Sequence, residues 1–302
     1  MTQPTRRALS AGAFATLLLI ALMMGANHVA ARVAFNHGAD VATAVVFRSA
    51  VTALVIVALL AAQGVRVQFS ARHKRMLPLI GLLIGVQSLC LYSSVARLPV
   101  ALALLAFNTY PIWAALWSWA FYKQPPERPL LLAMPVILVG LALALDVFGA
   151  ASGLGAQGQW ARIGAGVGFA LAAGATFGLA MVMTQHEAGD VDGRVRTATT
   201  MTMAGLVALT MVVSQGGFQL PQGPAGWGGL FALTLLYGTA ITILFTVLPR
   251  LGVVGNSAIM NVEPVFALIL AWLILGQAIA PMQVLGALIV VGAVVTLGLR
   301  KR

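Results

Sequence analysis

Long apolar stretches alternate with short polar segments along almost the whole chain. Each stretch has about 20 residues, the length that an α-helix needs to cross the hydrocarbon core of a membrane. The breaks have the composition of connecting loops, as residues 63–66 (QGVR) and 123–128 (KQPPER) illustrate. The pattern predicts ten spanning helices, at residues 13–34, 41–62, 76–96, 98–121, 130–149, 161–184, 197–215, 226–248, 252–275 and 281–299.

The composition fits a membrane protein and excludes a water-soluble one. Of the 302 residues, 60% are hydrophobic and only 8% are charged, whereas a soluble domain carries about 25% charged residues. The same figures exclude disorder, because disordered chains are poor in apolar residues. We therefore predict an all-α integral membrane protein.

Basic residues are distributed unevenly between the predicted loops. With ten spans, fourteen Lys and Arg residues fall on the side that holds both termini, and three fall on the other side: Arg32, Arg97 and Arg162. Cytoplasmic loops collect Lys and Arg, so we predict cytoplasmic termini in a bacterial-type inner membrane. The same asymmetry explains the net charge of +11, so we expect the lipid bilayer rather than nucleic acid as a partner.

The sequence contains an internal repeat. Residues 97–143 align with residues 250–296 without a gap, and uncommon residue types coincide in this register: Asn108 with Asn261, Pro111 with Pro264, Trp119 with Trp272 and Gln124 with Gln277. Gly25-Ala26 in the first span also matches Gly174-Ala175 in the sixth. The repeat predicts two domains of five spans each, at residues 13–149 and 161–299.

Because five is an odd number of spans, the second repeat must enter the membrane from the opposite side. The two halves are then inverted copies around a central cavity. Inverted repeats are typical of secondary transporters, which bind a small substrate near the midplane and expose it to each side in turn. The pattern indicates a transporter, and its site does not require an oligomer.

The second repeat carries a family motif. Residues 259–267 (IMNVEPVFA) and 271–277 (AWLILGQ) resemble the signature of the EamA repeat in the drug/metabolite transporter superfamily, although the family usually has a glutamate where this chain has Gln277. The resemblance covers nearly the whole chain as two tandem EamA units. The chain is most similar to the YddG-type exporters, which implies export of aromatic and other neutral amino acids and of small amphipathic metabolites.

Ionisable and polar residues within the spans are candidates for substrate binding, because each is costly to insert into a membrane. Arg48 could pair with Glu263, with a substrate carboxylate, or with carbonyl groups at a helix end. His28 is either a titratable group or a hydrogen-bonded helix contact. Gln87 either meets a substrate amine or bridges helices.

Two prolines predict breaks in their helices. Pro111 and Pro264 lack a backbone donor, which frees a carbonyl group in the preceding turn. Asn108, Asn261 and Glu263 lie beside these prolines. They either serve the breaks or face the cavity.

Aromatic residues follow the first break. Tyr110, Trp113 and Trp117 are spaced i, i+3, i+7 and share one helix face. This face either stacks on an aromatic substrate or packs on a neighbouring helix, and we favour substrate at Tyr110 and packing at Trp117. The complete set of candidate substrate-binding residues is His28, Arg48, Gln87, Asn108, Tyr110, Phe177, Tyr237, Asn261 and Glu263.

Other functions find less support in the sequence. The chain has no Walker-type phosphate loop, no zinc-protease motif and no nucleophile elbow, so we expect neither an enzyme nor a cofactor. Within the superfamily, the alternatives are a nucleotide-sugar or organophosphate exchanger and a broad drug efflux carrier. An exchanger of phosphorylated substrates would need several basic residues at the midplane, where only Arg48 is placed.

Overall fold

The computed structural model describes residues 11–65, 67–126, 128–246, 262–277 and 280–300. Within these ranges it consists of α-helices and has no β-strand, which confirms the predicted all-helical class. The helices of the first half are α1 (Ala11–Asn36), α2 (Val41–Ala62), α3 (Ala71–Arg97), α4 (Val100–Phe107), α5 (Tyr110–Tyr122) and α6 (Arg128–Ala144). Those of the second half are α7 (Gly155–Glu187), α8 (Gly193–Ser214), α9 (Gly223–Thr246), α10 (Glu263–Leu275) and α11 (Pro281–Arg300).

Seven helical segments of the described chain are long and apolar enough to cross a membrane, with α4 and α5 taken together as Val100–Tyr122. The segments Leu131–Ala144, Glu263–Leu275 and Pro281–Thr296 are apolar but shorter. They correspond to the fifth, ninth and tenth predicted spans. Of the ninth span, residues 252–261 lie outside the described chain. The count of ten therefore stays a prediction.

The predicted fourth span is not one continuous helix, because the helix is interrupted between Phe107 and Tyr110. Pro111 lies in the first turn of α5, where its missing N–H group costs no hydrogen bond. At the end of α4, the side-chain amide of Asn108 donates to the carbonyl of Leu104 at 3.0 Å. The break that the proline predicts is present, and Asn108 serves it by capping the preceding helix.

The largest helix–helix interfaces join the two halves of the chain. Helix α3 packs on α7, and the corresponding helices α9 and α1 pack on each other. Helix α5 also packs on α7, and the corresponding helices α10 and α1 pack on each other. Helices α2 and α8 pack on each other, as do α6 and α11. Exchanging the corresponding helices of the two halves converts the α3–α7 interface into α9–α1 and the α5–α7 interface into α10–α1. It leaves the α2–α8 and α6–α11 interfaces unchanged. The contacts are those that a two-fold relation between the halves requires.

Two clefts in the bundle are lined mostly by apolar side chains. One lies between α4, α10 and α11, and the other lies between α2, α8 and the segment before α3. Arg48, His28 and Glu263 line neither of them. The predicted central cavity therefore stays a prediction.

The end of the bundle where α3 and α8 begin is held by ion pairs. Arg72 Nε lies 2.7 Å from Glu187 Oε2, and His73 Nε2 lies 3.1 Å from Asp190 Oδ1, so α3 is joined to the end of α7. Tyr122 of α5 donates to Glu187 Oε1 at 2.9 Å. A hydrogen bond from its own backbone amide, together with that from His73, lowers the pKa of the Asp190 carboxyl group. We call these five residues the ionic end cluster.

Helices α5 and α10 end at equivalent positions of the repeat with a residue in the left-handed conformation. These are Lys123, with φ 57° and ψ 23°, and Gly276, with φ 63° and ψ 21°. A residue with a Cβ atom costs about 1 kcal/mol in this region, and glycine does not. We expect Lys123→Gly to raise the thermal unfolding midpoint in detergent and Gly276→Ala to lower it. A lower midpoint for Lys123→Gly would contradict this prediction.

Candidate functional site

A buried arginine lies among α2, α3 and α9. Arg48, in the middle of α2, is only 3% exposed. Its guanidinium donates to Ser88 Oγ at 2.7 Å and lies over the rings of Tyr237 and Tyr92, at 4.0 and 4.8 Å from their centroids. Among the described residues it pairs with no carboxylate, and its Nε atom has no hydrogen-bond partner. The hydroxyls of Ser88 and Tyr92 and two aromatic faces leave part of the guanidinium's hydrogen-bonding capacity unused.

One face of α3 carries polar side chains towards this arginine. Ser88 and Tyr92 are four residues apart and therefore lie on the same helix face. Ser88 Oγ donates to Gln87 Oε1 at 3.3 Å, and the Tyr92 hydroxyl donates to Asn27 Oδ1 of α1 at 2.8 Å. The Asn27 Nδ2 atom is buried without a partner in the described structure. Asn27 and Arg48 thus both offer donors to another molecule.

A carboxylate faces α1 from the first turn of α10. Glu263 Oε1 lies 3.2 Å from His28 Nε2, with the histidine side chain 3% exposed and the glutamate 21% exposed. The N-terminus of α10 favours a negative charge at this position. The His28 ring also meets the ring of Tyr92 edge-on, with centroids 5.6 Å apart. Glu263 was one of the three partners considered for Arg48, but in the structure it pairs with His28.

Three aromatic rings cluster where α4, α5 and α7 meet. The centroids of Tyr110 and Phe177 are 5.1 Å apart, and Phe107 lies 5.4 Å from Phe177 and 5.8 Å from Tyr110. All three side chains are half-buried. Further along α5, Trp117 Nε1 donates to the carbonyl of Ala175 at 2.9 Å, so Trp117 packs on α7. We call Phe107, Tyr110 and Phe177 the aromatic cluster.

The structure brings most of the candidates from the sequence together. Five of them form a connected group with Asn27, Ser88 and Tyr92, which we call the polar centre: His28, Arg48, Gln87, Tyr237 and Glu263. Tyr110 and Phe177 form the aromatic cluster, and the Glu263 carboxylate is close enough to act electrostatically on the Tyr110 hydroxyl. Asn108 caps α4, and Asn261 lies outside the described residues.

Three residues of the polar centre, Asn27, Ser88 and Tyr92, are not in the set of candidate substrate-binding residues. Ser88 and Tyr92 both contact Arg48, one by a hydrogen bond and one through its ring. Their spacing of four residues on α3 was the available signal, because it places a hydroxyl and a phenol on one helix face. Within the described ranges, no group of three His, Cys, Asp or Glu side chains is arranged to hold a metal ion.

Apolar spanning helices with ionisable side chains in their core are typical of membrane transport proteins. The model of the EamA-like transporter family matches residues 11–145 and 164–299, and the chain belongs to this family. It is a multi-pass membrane protein with two EamA repeats. The family and the relatives that follow are transporters and not enzymes.

The chain is similar to the threonine/homoserine exporter RhtA of Escherichia coli strain K12. The two are 25% identical over 248 residues, which cover 78% of this chain and 76% of RhtA. RhtA from E. coli O157:H7 matches to the same extent. A solved crystal structure superimposes with a TM-score of 0.59 at 17% sequence identity and covers 97% of this chain and 99% of its own. At this identity the crystal structure supports the fold alone.

Proposed function

We propose that this protein is a secondary transporter that exports neutral amino acids, aromatic ones among them, and small amphipathic metabolites by alternating access. The observation that carries the proposal is Arg48, a buried guanidinium that pairs with no carboxylate of the described residues. A neutral amino acid brings a carboxylate to this guanidinium. It also brings an ammonium group, for which Glu263 supplies a carboxylate.

Arg48 binds the substrate carboxylate in this proposal. A guanidinium has a planar fork of N–H groups that matches a carboxylate, and such charge-assisted pairs are among the strongest hydrogen bonds in proteins. Tyr237 and Tyr92 lie against the guanidinium and hold it in place. The free Nδ2 donor of Asn27 belongs to the same hydrogen-bonded group and adds to the binding of an anion.

Glu263 binds the substrate ammonium group. In the structure its carboxylate is paired with the His28 ring, which lies between α1 and α10 where the ammonium group would bind. A substrate ammonium group replaces the histidine, so the contact between the two helices changes when substrate binds. Gln87, whose side-chain oxygen already accepts from Ser88, orients the polar centre from α3.

The architecture that accompanies this function has ten spans in two inverted repeats, at residues 13–149 and 161–299. Both termini are cytoplasmic, and the membrane is a bacterial inner membrane. The exchange of helix–helix interfaces between the two halves supports the repeat, and the helix break before Pro111 supports a site lined by interrupted helices. Asn108 belongs to the break before Pro111, and Asn261 is the equivalent residue of the second repeat.

The relatives support amino acids over phosphorylated substrates. RhtA is by its name an exporter of threonine and homoserine, which are neutral amino acids. Among the described residues of the polar centre, Arg48 is the only arginine or lysine. A sugar phosphate or a nucleotide carries more negative charge than one arginine balances.

The proposal is tested with the purified protein in liposomes. The vesicles are loaded with labelled threonine, phenylalanine or glucose 6-phosphate, and efflux is compared with that from protein-free vesicles. We expect the protein to accelerate efflux of at least one of the two amino acids and not of the sugar phosphate. Accelerated efflux of the sugar phosphate without either amino acid would overturn the proposal.

A further inference from the structure

The two repeats place chemically different residues at equivalent positions beside the site. Helix α1 begins the first repeat and carries His28, and α7 begins the second repeat and carries Phe177. The ungapped match of residues 97–143 with 250–296 aligns Tyr110 with Glu263, each directly before its proline. Tyr110 and Glu263 are therefore counterparts in the two halves. Each contacts a side chain on the first helix of the other repeat, which gives the pairs Phe177–Tyr110 and His28–Glu263.

The structure joins the members of both pairs in the same way. Helix α1 meets α10 so closely that a Cβ atom on Gly25 would lie 3.0 Å from the carbonyl oxygen of Glu263. Helix α7 meets α5 so closely that a Cβ atom on Gly178 would lie 3.0 Å from the carbonyl oxygen of Tyr110. In each half, the first helix of one repeat is thus held against the helix that begins just before the matching proline position of the other, α10 at Glu263 and α5 at Tyr110.

The contacts within the two pairs differ in kind. His28 and Glu263 are joined by a polar contact of 3.2 Å, whereas the rings of Phe177 and Tyr110 meet edge-on at 5.1 Å. The pairs belong to neighbouring helices, since α4 packs on both α7 and α10, and the Glu263 carboxylate lies within electrostatic range of the Tyr110 hydroxyl. One side of the site is therefore polar and the other side is aromatic.

We infer that these two half-sites divide the recognition of one substrate between them, and this inference rests on the proposed function. The His28–Glu263 half-site and Arg48 bind the ammonium and carboxylate groups that all amino acids share. The Phe177–Tyr110 half-site contacts the side chain and selects amino acids with an aromatic ring. Phe177 and Tyr110 are thus the specificity-determining residues of the transporter.

The physical basis is the difference between the two kinds of contact. Aromatic rings attract each other edge-on or offset at centroid distances of about 4.5–7 Å, which is the geometry already present within the aromatic cluster. The three rings of this cluster keep part of their surface accessible, so a further ring can join them. A small polar side chain such as that of threonine gains little from these rings.

The test measures how the rates of phenylalanine and threonine efflux from proteoliposomes change in matched variants. Phe177→Ala removes one ring of the half-site. Phe169→Ala is the control, because Phe169 lies on the same helix and contacts Arg97 instead. Phe177→Leu keeps most of the side-chain volume without a ring, and it decides the test if the alanine variant does not fold.

We expect the wild-type protein to prefer phenylalanine. Phe177→Ala or Phe177→Leu lowers the phenylalanine-to-threonine ratio of kcat/KM by about tenfold, which corresponds to the upper range of one aromatic contact, while threonine efflux continues. Phe169→Ala leaves the ratio unchanged. An unchanged ratio in both Phe177 variants overturns the inference, as does a wild-type protein that exports threonine but not phenylalanine. A wild-type protein that exports neither amino acid overturns the proposed function as well.

Discussion

Arg48→Met is expected to reduce amino acid efflux by about a hundredfold while leaving the protein folded. The loss follows because truncating one partner of a buried, hydrogen-bonded charge pair costs about 2–5 kcal/mol. The thermal unfolding midpoint in detergent should be unchanged or higher. Replacing a buried charge by an apolar side chain of similar size is often neutral or stabilising, and Arg48 has no carboxylate partner among the described residues that would be left behind.

Arg97→Met is the matched control for this prediction. Arg97 also lies over an aromatic ring, 4.8 Å from the centroid of Phe169, but it is exposed at the end of α3. We expect its efflux rate to stay within about twofold of the wild-type rate, as exposed charges contribute little. Arg48→Lys separates charge from geometry, since lysine keeps the charge but lacks the fork. Wild-type efflux in Arg48→Met would remove Arg48 from the substrate site.

Gly286→Val is expected to prevent the protein from folding. A Cβ atom on Gly286 would lie 2.4 Å from the backbone nitrogen of Ala144 and 2.5 Å from the carbonyl oxygen of Gly140. Backbone atoms cannot rotate away as the end of a side chain can, so α6 and α11 would have to separate. Overpacking costs about 1–3 kcal/mol even where side chains can adjust, and we expect this substitution to exceed that range.

Gly292→Val on the same helix shows whether the effect comes from the close contact. A Cβ atom at Gly292 meets no described atom within 4 Å, and valine suits a helix better than glycine does. Size-exclusion chromatography and thermal unfolding in detergent measure both variants. We expect a monodisperse, stable protein for Gly292→Val and little or none for Gly286→Val. Equal behaviour of the two variants would show that α6 and α11 do not meet at Gly286.

The features that could be predicted from the sequence are those set by single residue types. Apolar stretches predicted helices, because only a helix satisfies its own backbone in lipid. Pro111 predicted the break in its span, because proline interrupts the hydrogen bonds of a helix. Arg48 stood out as a candidate because it is a charge in an apolar segment, and it is buried in the bundle.

The features that could not be predicted depend on how helices face one another. Glu263 could have paired with Arg48 or with His28, and only the rotation of α1 against α10 decides for the histidine. The contact of Tyr92 with Arg48 likewise depends on how α3 faces α2. Asn108 could have faced a cavity, but its amide bonds to its own helix, since a helix end leaves a carbonyl without a partner nearby.

In the proposed alternating-access cycle, the ionic end cluster favours one of the two end states. Two inverted halves of identical sequence would make the inward-open and outward-open conformations equal in energy. In this chain, every ion pair that the described residues form at an end of the bundle lies at the end where α3 and α8 begin. Separating α3 from the end of α7 breaks Arg72–Glu187 and His73–Asp190, whereas Arg194–Asp192 lies within the start of α8. In the proposed alternating-access cycle we therefore expect the unloaded carrier to rest closed at this end, and we expect added salt, which screens exposed charges, to weaken that preference.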